Sequence, residues 1–272
     1  MFAFRIITAC LVVGASILVA LLVLVGLQIA NGKMYDIDRE TKCNLPHRQS
    51  DGSCLKELHL VEGGRSSHSI PDIPAHIREE ILSASLDPRN GKRVELGKLR
   101  QGRTLTTQTV EKLCPLLMRE YLPSLERHVS KRIVEGLKVS DRSLPTSVSV
   151  IVYEREGDGI DWHYDSNHFR GKFFTMIIPV RVPGDKREKC AHFRYMHNGV
   201  VHKLRGTSDQ DTPVIFEGER LYHGSTRACA HDPPRVILSI QFTDDDTLTP
   251  LSRFHTWMKD RTFEGTWPKK TM

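Results

Sequence analysis

No two cysteines in this 272-residue chain are spaced as Cys-x-x-Cys, which removes zinc-finger and thioredoxin-type motifs from consideration. Cys10, Cys43, Cys54, Cys114, Cys190 and Cys229 are scattered instead. Cys43 and Cys54 flank a short polar loop; on the lumenal side of a membrane they could pair, and two free thiols fit that spacing equally well. The chain has no Asn-x-Ser/Thr acceptor, so a glycosylation signal does not settle its sidedness. Blocks of like charge are missing too. The net charge is +6, but Lys and Arg are interspersed with acids, the pattern of a solvated surface rather than of a nucleic-acid or anionic-membrane footprint. There is no clustered basic and aromatic stripe for bases to stack on, and no internal repeat.

One absence is local. Residues 6–30, IITACLVVGASILVALLVLVGLQIA, contain no charged side chain, and at a rise of about 1.5 Å per residue they can cross a hydrocarbon core about 30 Å thick. The run is longer than the apolar region of a cleaved signal peptide and has no polar face, so an uncleaved transmembrane signal anchor is expected over residues 1–31. Lys33, Arg39 and Lys42 after the run favour a cytosolic C-terminal part. The layout of short tail, apolar run and large C-terminal domain favours a lumenal one, in the endoplasmic reticulum or Golgi. We take the lumenal placement as the expectation.

The chain beyond the run has room for one globular domain of ordinary size. Residues 32–74, rich in Gly, Ser, Asp, Pro and His, read as a stem or linker. The domain is expected over 75–272: helical support over 75–140, a β core over 146–245 and a C-terminal extension over 246–272. A short helix is expected at 75–86. Apolar residues three and four apart, Val110, Leu113, Leu117 and then Leu125, Val129, Ile133 and Leu137, predict helix over 107–138, split or kinked at Pro115 and Pro123. From Thr146 the texture becomes short β runs, at 147–153, 173–182, 192–196, 200–204, 212–216 and 235–242, with Asn198-Gly199 as a hairpin turn. The fold class is mainly β with flanking helices (α+β), its core an antiparallel sandwich or barrel.

Within that β texture lies Asp161-Trp162-His163-Tyr164-Asp165. In an extended segment His163 and Asp165 share a face and can share one metal ion. A His-x-Asp alone occurs by chance. Two His and one carboxylate on one octahedral face, however, is the geometry of non-haem Fe(II) oxygenases, and His223 on a late β run supplies the third ligand. Arg235 opens the run RVILSIQF and is expected on a strand adjacent to that of His223, where its guanidinium suits bidentate capture of a carboxylate. His168, His192, His197, His202 and His231 read as ordinary surface or hydrogen-bonded residues. Asp161 and Trp162 either face substrate or belong to the core, and Phe169, Arg170 and Lys172 either guard the site or form a solvated loop.

The ordered set Tyr153, His163-x-Asp165, His223 and Arg235, over residues 146–245, resembles the iron(II)/2-oxoglutarate-dependent dioxygenases, in particular their prolyl and lysyl hydroxylase-like branch. The resemblance implies a double-stranded β-helix (jelly roll) core. It implies iron held by His163, Asp165 and His223, and 2-oxoglutarate and O2 as cosubstrates, with ascorbate as an optional reductant. The far carboxylate of 2-oxoglutarate then falls to Arg235, with Tyr153 bonding it and Thr175 and Ile177 lining its pocket. The Arg lies twelve residues after the distal His, slightly beyond the family's usual spacing, and Arg227 is its rival. The implied activity is hydroxylation of a prolyl or lysyl side chain, or of a small metabolite, with release of succinate and CO2. The competing readings are an AlkB-like nucleic-acid demethylase, disfavoured by the apolar anchor, and a non-catalytic β-sandwich binding module, which would be marked by a lost ligand. Oligomeric state is left open.

Overall fold

The computed structural model describes residues 60–62, 70–96, 99–182, 192–197, 200–203 and 213–248, all within the unit Glu57–Met272. The apolar run 6–30 and the cysteines Cys43 and Cys54 lie outside the described residues. Among the described residues no helix is long and apolar enough to cross a membrane.

A large antiparallel sheet forms the frame. Its strands are β1 (Leu60–Glu62), β2 (Lys92–Leu96), β3 (Arg100–Leu105), β4 (Lys138–Val139), β5 (Val148–Tyr153), β6 (Gly159–Ile160), β7 (Phe173–Arg181), β10 (Val214–Glu217) and β12 (Arg235–Thr243). They run in the order β1-β10-β7-β12-β5-β3-β2, with β4 on β12 and β6 on β3. A smaller sheet, β11-β8-β9, is made by β8 (Phe193–His197), β9 (Val200–Lys203) and β11 (His223–Ser225). The result is the mainly β, jelly-roll-like architecture with flanking helices.

Alternation along three strands sorts the frame into two faces. Val148, Val150 and Val152 of β5, Phe174, Met176 and Ile178 of β7, and Val236, Leu238, Ile240 and Phe242 of β12 enter the main core. There they meet Ile77 and Ile81 of helix α1 (Ala75–Leu86), Val110 of α2 (Thr107–Leu113) and Leu122, Leu125 and Val129 of α3 (Leu122–Arg132). The intervening residues, Ser149, Ile151 and Tyr153, Thr175 and Ile177, and Arg235, Ile237, Ser239 and Gln241, line a cavity on the other face. One face of each strand is uniformly apolar and packs on helices; the other mixes polar and apolar groups and faces the cavity.

The expected break in the 107–138 helix falls at Cys114. Pro115 has no N–H to continue the ladder, and the newly exposed N–H groups of Leu116 and Leu117 donate to the Glu80 carboxylate of α1, each at 3.0 Å. Before α3 the chain widens into a π-helical turn, Leu117–Tyr121, which runs directly into α3 with Pro123 just after it, so the proline's missing N–H falls where the i→i−4 ladder is already irregular. Cys114 is fully buried, and burial pushes its thiol up to about 12.

Two parts of the expected layout differ. The stretch expected to be stem contributes β1, and Ile70 and Ile73 belong to the core. The stretch expected to be purely helical support contains the hairpin β2–β3, which extends the sheet beyond β5. Its sequences, KRVEL and RQGRTL, are heavily charged and show no simple apolar alternation. Their charges are used internally. Arg103, 3% exposed, donates to Glu154 and to the carbonyls of Ser85, Asp87 and Asn90. Arg93 grips both oxygens of the buried Asp158, at 2.7 and 3.1 Å.

Asp158 also accepts the N–H groups of Glu154 and Arg155, fixing the loop between β5 and β6. Burial works against its charge, but Arg93 and those N–H groups together hold its carboxyl below the usual carboxylate range. A carboxyl with a depressed folded value contributes stability above its unfolded value, about 4, and loses it as pH falls through the folded one. Asp158→Asn should therefore cost about 2 kcal/mol at pH 7, less than a fully buried pair because Arg93 keeps some solvent contact. That deficit should shrink as pH falls below about 4, as followed by urea unfolding at each pH.

Candidate metal centre and cofactor cavity

His163 and His223 are sixty residues apart in sequence yet form an antiparallel bridge. The N–H of His163 donates to the His223 carbonyl at 2.8 Å, and the N–H of His223 returns the bond at 3.0 Å. Residues directly opposite in such a pair project to the same face, and the imidazole centroids are 4.3 Å apart. Two residues on, the Asp165 N–H donates to Gly218 O at 2.9 Å, which brings its carboxylate back to the same face. Among the described residues these three form the one group of His, Cys, Asp and Glu able to hold a metal, with all candidate ligand atoms within 4.8 Å of one another.

The orientation of each donor is fixed. His163 Nδ1 is bonded to the Asp161 carbonyl and His223 Nδ1 to the Leu221 carbonyl, both at 2.8 Å. A carbonyl only accepts, so each Nδ1 carries the proton and each Nε2 presents a lone pair. Those Nε2 atoms lie 3.4 and 3.8 Å from Asp165 Oδ1. Ligands about 2.1 Å from an ion and at right angles to each other stand about 3 Å apart, so a small closure of the set accommodates one ion. The second carboxylate oxygen, Oδ2, accepts the Thr175 hydroxyl at 2.6 Å, leaving Oδ1 to face the imidazoles.

Electrostatics agree with that assignment. Burial opposes the Asp165 charge, but His223, His163 and the Thr175 hydroxyl together hold its carboxyl well below the carboxylate range. Burial and the neighbouring His163 push the His223 imidazole down to about 4, so it is neutral and able to ligate near pH 7. Its ring is wedged between Phe216, edge-on at 4.6 Å, and Phe193 at 5.7 Å. Two imidazoles and one carboxylate with the remaining directions open is the donor set for Fe(II), and the residues fit it.

The ligands border a cavity of about 120 Å³. Arg235, 1% exposed, and Tyr153, 4% exposed, line it from directly paired positions on β12 and β5. Ile151, Ile177 and Ile237 form its apolar walls. The expectation that Arg235 would sit on a strand adjacent to that of His223 is corrected: β12 pairs with β5, β7 and β4, whereas β11 pairs with β8 in the other sheet. The two residues share the cavity from opposite sheets. Arg227 donates to the carbonyls of Gly157 and Gly159 and is not among the cavity residues. Thr175 and Ile177 both line the cavity, the former committed through its hydroxyl to Asp165.

Phe169 is buried against Phe173 and bridges to Leu248, so it is a packing residue rather than a gate. The backbone N–H groups of Arg170 and Lys172 tie to Thr247 and Asp244. Trp162 stacks on Tyr222 at 5.2 Å, outside the cavity. Of the remaining histidines, His168, His192 and His231 are outside the ligand group, and the side chains of His197 and His202 lie outside the described residues.

Sequence reasoning missed Gly218. A Cβ there would meet Asp165 Cβ at 2.8 Å and Oδ2 at 2.9 Å, contacts that real Cβ atoms do not make. Gly218→Ala must displace the carboxylate. It should weaken divalent-ion binding by about 10- to 100-fold, the cost of disturbing a ligand's supports, and lower the unfolding midpoint of the metal-free protein as well, because the same Cβ would stand 2.9 Å from Cε1 of the buried Phe173. A Co(II) titration paired with thermal unfolding checks both. Arg100 was also missed: it lines the cavity from β3 and donates to Thr104 Oγ1 at 2.8 Å. A glycine in a turn and an arginine in a charged strand carry no signal by sequence alone.

No family model and no curated protein matches the sequence. Solved structures do match. A 2OG-Fe(II) oxygenase family oxidoreductase from Burkholderia pseudomallei aligns with TM-score 0.50 at 11% identity, covering 72% of this chain and 90% of that one. A Trichoplax adhaerens prolyl hydroxylase, in complex with a hypoxia inducible factor oxygen degradation domain peptide fragment, aligns with TM-score 0.47 at 15% identity, covering 68% and 82%. A Pseudomonas putida prolyl-4-hydroxylase gives TM-score 0.46 at 13% identity, covering 70% and 94%. The Burkholderia likeness establishes the fold, which is that of the 2-oxoglutarate/iron(II) oxygenases.

Proposed function

We propose that the protein is an Fe(II)- and 2-oxoglutarate-dependent oxygenase that hydroxylates a protein side chain, prolyl or lysyl, or a small metabolite. The observation that carries this reading is the convergence of three correctly protonated donors, His163, Asp165 and His223, on the border of a cavity that also holds a buried guanidinium. When bound, iron and 2-oxoglutarate supply the oxidising chemistry from O2, with succinate and CO2 as co-products. The chain's own residues hold and orient. His163, Asp165 and His223 hold the metal, and Arg235 with the Tyr153 hydroxyl takes the far carboxylate. Ile151, Ile160, Ile177 and Ile237 give the cavity between them its apolar wall. Thr175 keeps one carboxylate oxygen of Asp165 occupied so that the other faces the metal. The cavity, about 120 Å³ and lined by all three metal ligands, is where the 2-oxo acid is placed.

The lumenal, membrane-anchored placement belongs to the same proposal. Its support is the uncharged run 6–30.

Adding Fe(II) and 2-oxoglutarate to the purified chain under anaerobic conditions should produce a visible metal-to-ligand charge-transfer band. Exposure to air should then release succinate, with an added oxygen found by mass spectrometry on one member of a panel of prolyl peptides, lysyl peptides and small acids. Failure to form the band, with iron verified as bound, would overturn the reading in favour of a binding module.

A further inference from the structure

The two imidazoles are held by different means. His223 is clamped by aromatic packing on two sides, whereas the His163 side chain is 26% exposed and, among the described residues, packs on one ring, that of His223. Its direction therefore depends on the bond from Nδ1 to the Asp161 carbonyl, and so on whatever fixes that carbonyl. The carbonyl belongs to the peptide unit joining Asp161 to Trp162. The N–H of the same unit donates to Asp161 Oδ1 at 2.9 Å, and Oδ1 also receives Arg194 Nη2 at 3.2 Å. Arg194 lies over the Trp162 ring, 4.4 Å from its centroid, and Trp162 is stacked on Tyr222. On β11, Gly224 is the register partner of Arg194, and a Cβ at Gly224 would stand 3.1 Å from both the carbonyl carbon and oxygen of Asp161.

From this geometry we propose that Arg194 and Asp161 are positioning residues for the metal centre, acting on His163 through the single peptide unit 161–162. The inference rests on the oxygenase reading only in taking His163 as a ligand. A continuous chain runs from the Arg194 guanidinium to the Asp161 carboxylate, to the Trp162 N–H, across the peptide to the Asp161 carbonyl, and on to His163 Nδ1–H. A carboxylate accepting from the N–H polarises the peptide, and the carbonyl becomes a stronger acceptor. The stronger that acceptor, the more the imidazole is held in one tautomer and the better Nε2 donates. His223 has its own carbonyl, that of Leu221, and is held besides by the aromatic rings on two sides. The outer face of the small sheet thus sets the donor on its inner face.

The test measures divalent-ion affinity by Co(II) absorbance in the full chain, together with thermal unfolding of the metal-free protein. Arg194→Met and Asp161→Ala should each weaken Co(II) binding about 10- to 100-fold, the range for disrupting a ligand's hydrogen-bond partner, while Arg194→Lys and Asp161→Asn recover part of it. The ¹⁵N shifts of the His163 ring should show one Nδ1–H tautomer in the wild type and a tautomer mixture in Asp161→Ala. Wild-type affinity within twofold in both truncations, with an unchanged His163 spectrum, overturns the proposal. Equal losses in the truncations and their conservative counterparts, tracking a fall in unfolding midpoint, overturn it as well by showing a merely structural role. Absence of Co(II) binding by the wild type would instead sink the reading of the metal centre itself.

Discussion

Asp165→Ala abolishes succinate formation and divalent-ion retention while leaving the fold in place: that is the largest effect expected of any single substitution. Asp165 is the one carboxylate in the group, and both Nε2 atoms face its Oδ1. Without it, only the two imidazoles remain, that of His223 pushed down to about 4 by burial and by its neighbour, and no negative charge balances a dication. The loss in affinity should exceed the about 10- to 100-fold cost of disturbing a ligand's supports, because a ligand itself is gone. The fold should survive because the backbone bond from Asp165 N–H to Gly218 O does not involve the side chain. Asp165→Asn separates shape from charge: it can still accept from Thr175 but should bind metal far more weakly. Calorimetric metal titration and succinate assay of the same preparations check the result, and an Ala variant with normal turnover would mean that the metal is held elsewhere.

The second large effect belongs to Arg235→Leu. The guanidinium is 1% exposed and lines the cavity beside Tyr153. Truncating one member of a buried, hydrogen-bonded charge pair costs about 3–5 kcal/mol, equivalent to about 10²- to 10³-fold or more in affinity. The 2-oxoglutarate concentration needed for half-maximal charge-transfer absorbance should rise by that factor. With 2-oxopentanoate, which lacks the far carboxylate, wild type and variant should behave alike, because the interaction removed by the substitution is no longer available to either. Arg227→Leu should leave both titrations near wild type, since its guanidinium is spent on the carbonyls of Gly157 and Gly159. The opposite ranking of the two arginines would reassign the anchor.

The β core of the site was legible because period-two alternation survives in β5, β7 and β12: each reads apolar on the helix side and mixed on the cavity side. Helix α1 and the break before Pro115 were legible for equally local reasons, a run of spaced apolar residues and a missing N–H; at Pro123 the helix continues. The hairpin β2–β3 was not, because Arg93 and Arg103 satisfy their charges against Asp158 and Glu154, residues more than fifty positions away. Sequence order likewise placed Arg235 soon after His223 but could not say that the intervening chain carries it to the other sheet. Gly218 and the Asp161 carbonyl matter through close approach and backbone direction, properties with no side-chain signature.

β12 threads the middle of the large sheet, with its even-numbered residues from Val236 to Phe242 in the helical core and its odd-numbered ones from Arg235 to Gln241 on the cavity. Selection can therefore act on one strand as on two interleaved texts. Changes at odd positions alter what the cavity holds without loosening the helices, and changes at even positions alter stability without rewriting the chemistry. The same interleaving makes the strand intolerant of insertion. One added residue within it, where no bulge absorbs it, would exchange the two sets on one side of the insertion. Substitution in β12 can thus alter the cavity wall or the helical core separately, while the length of the strand stays fixed.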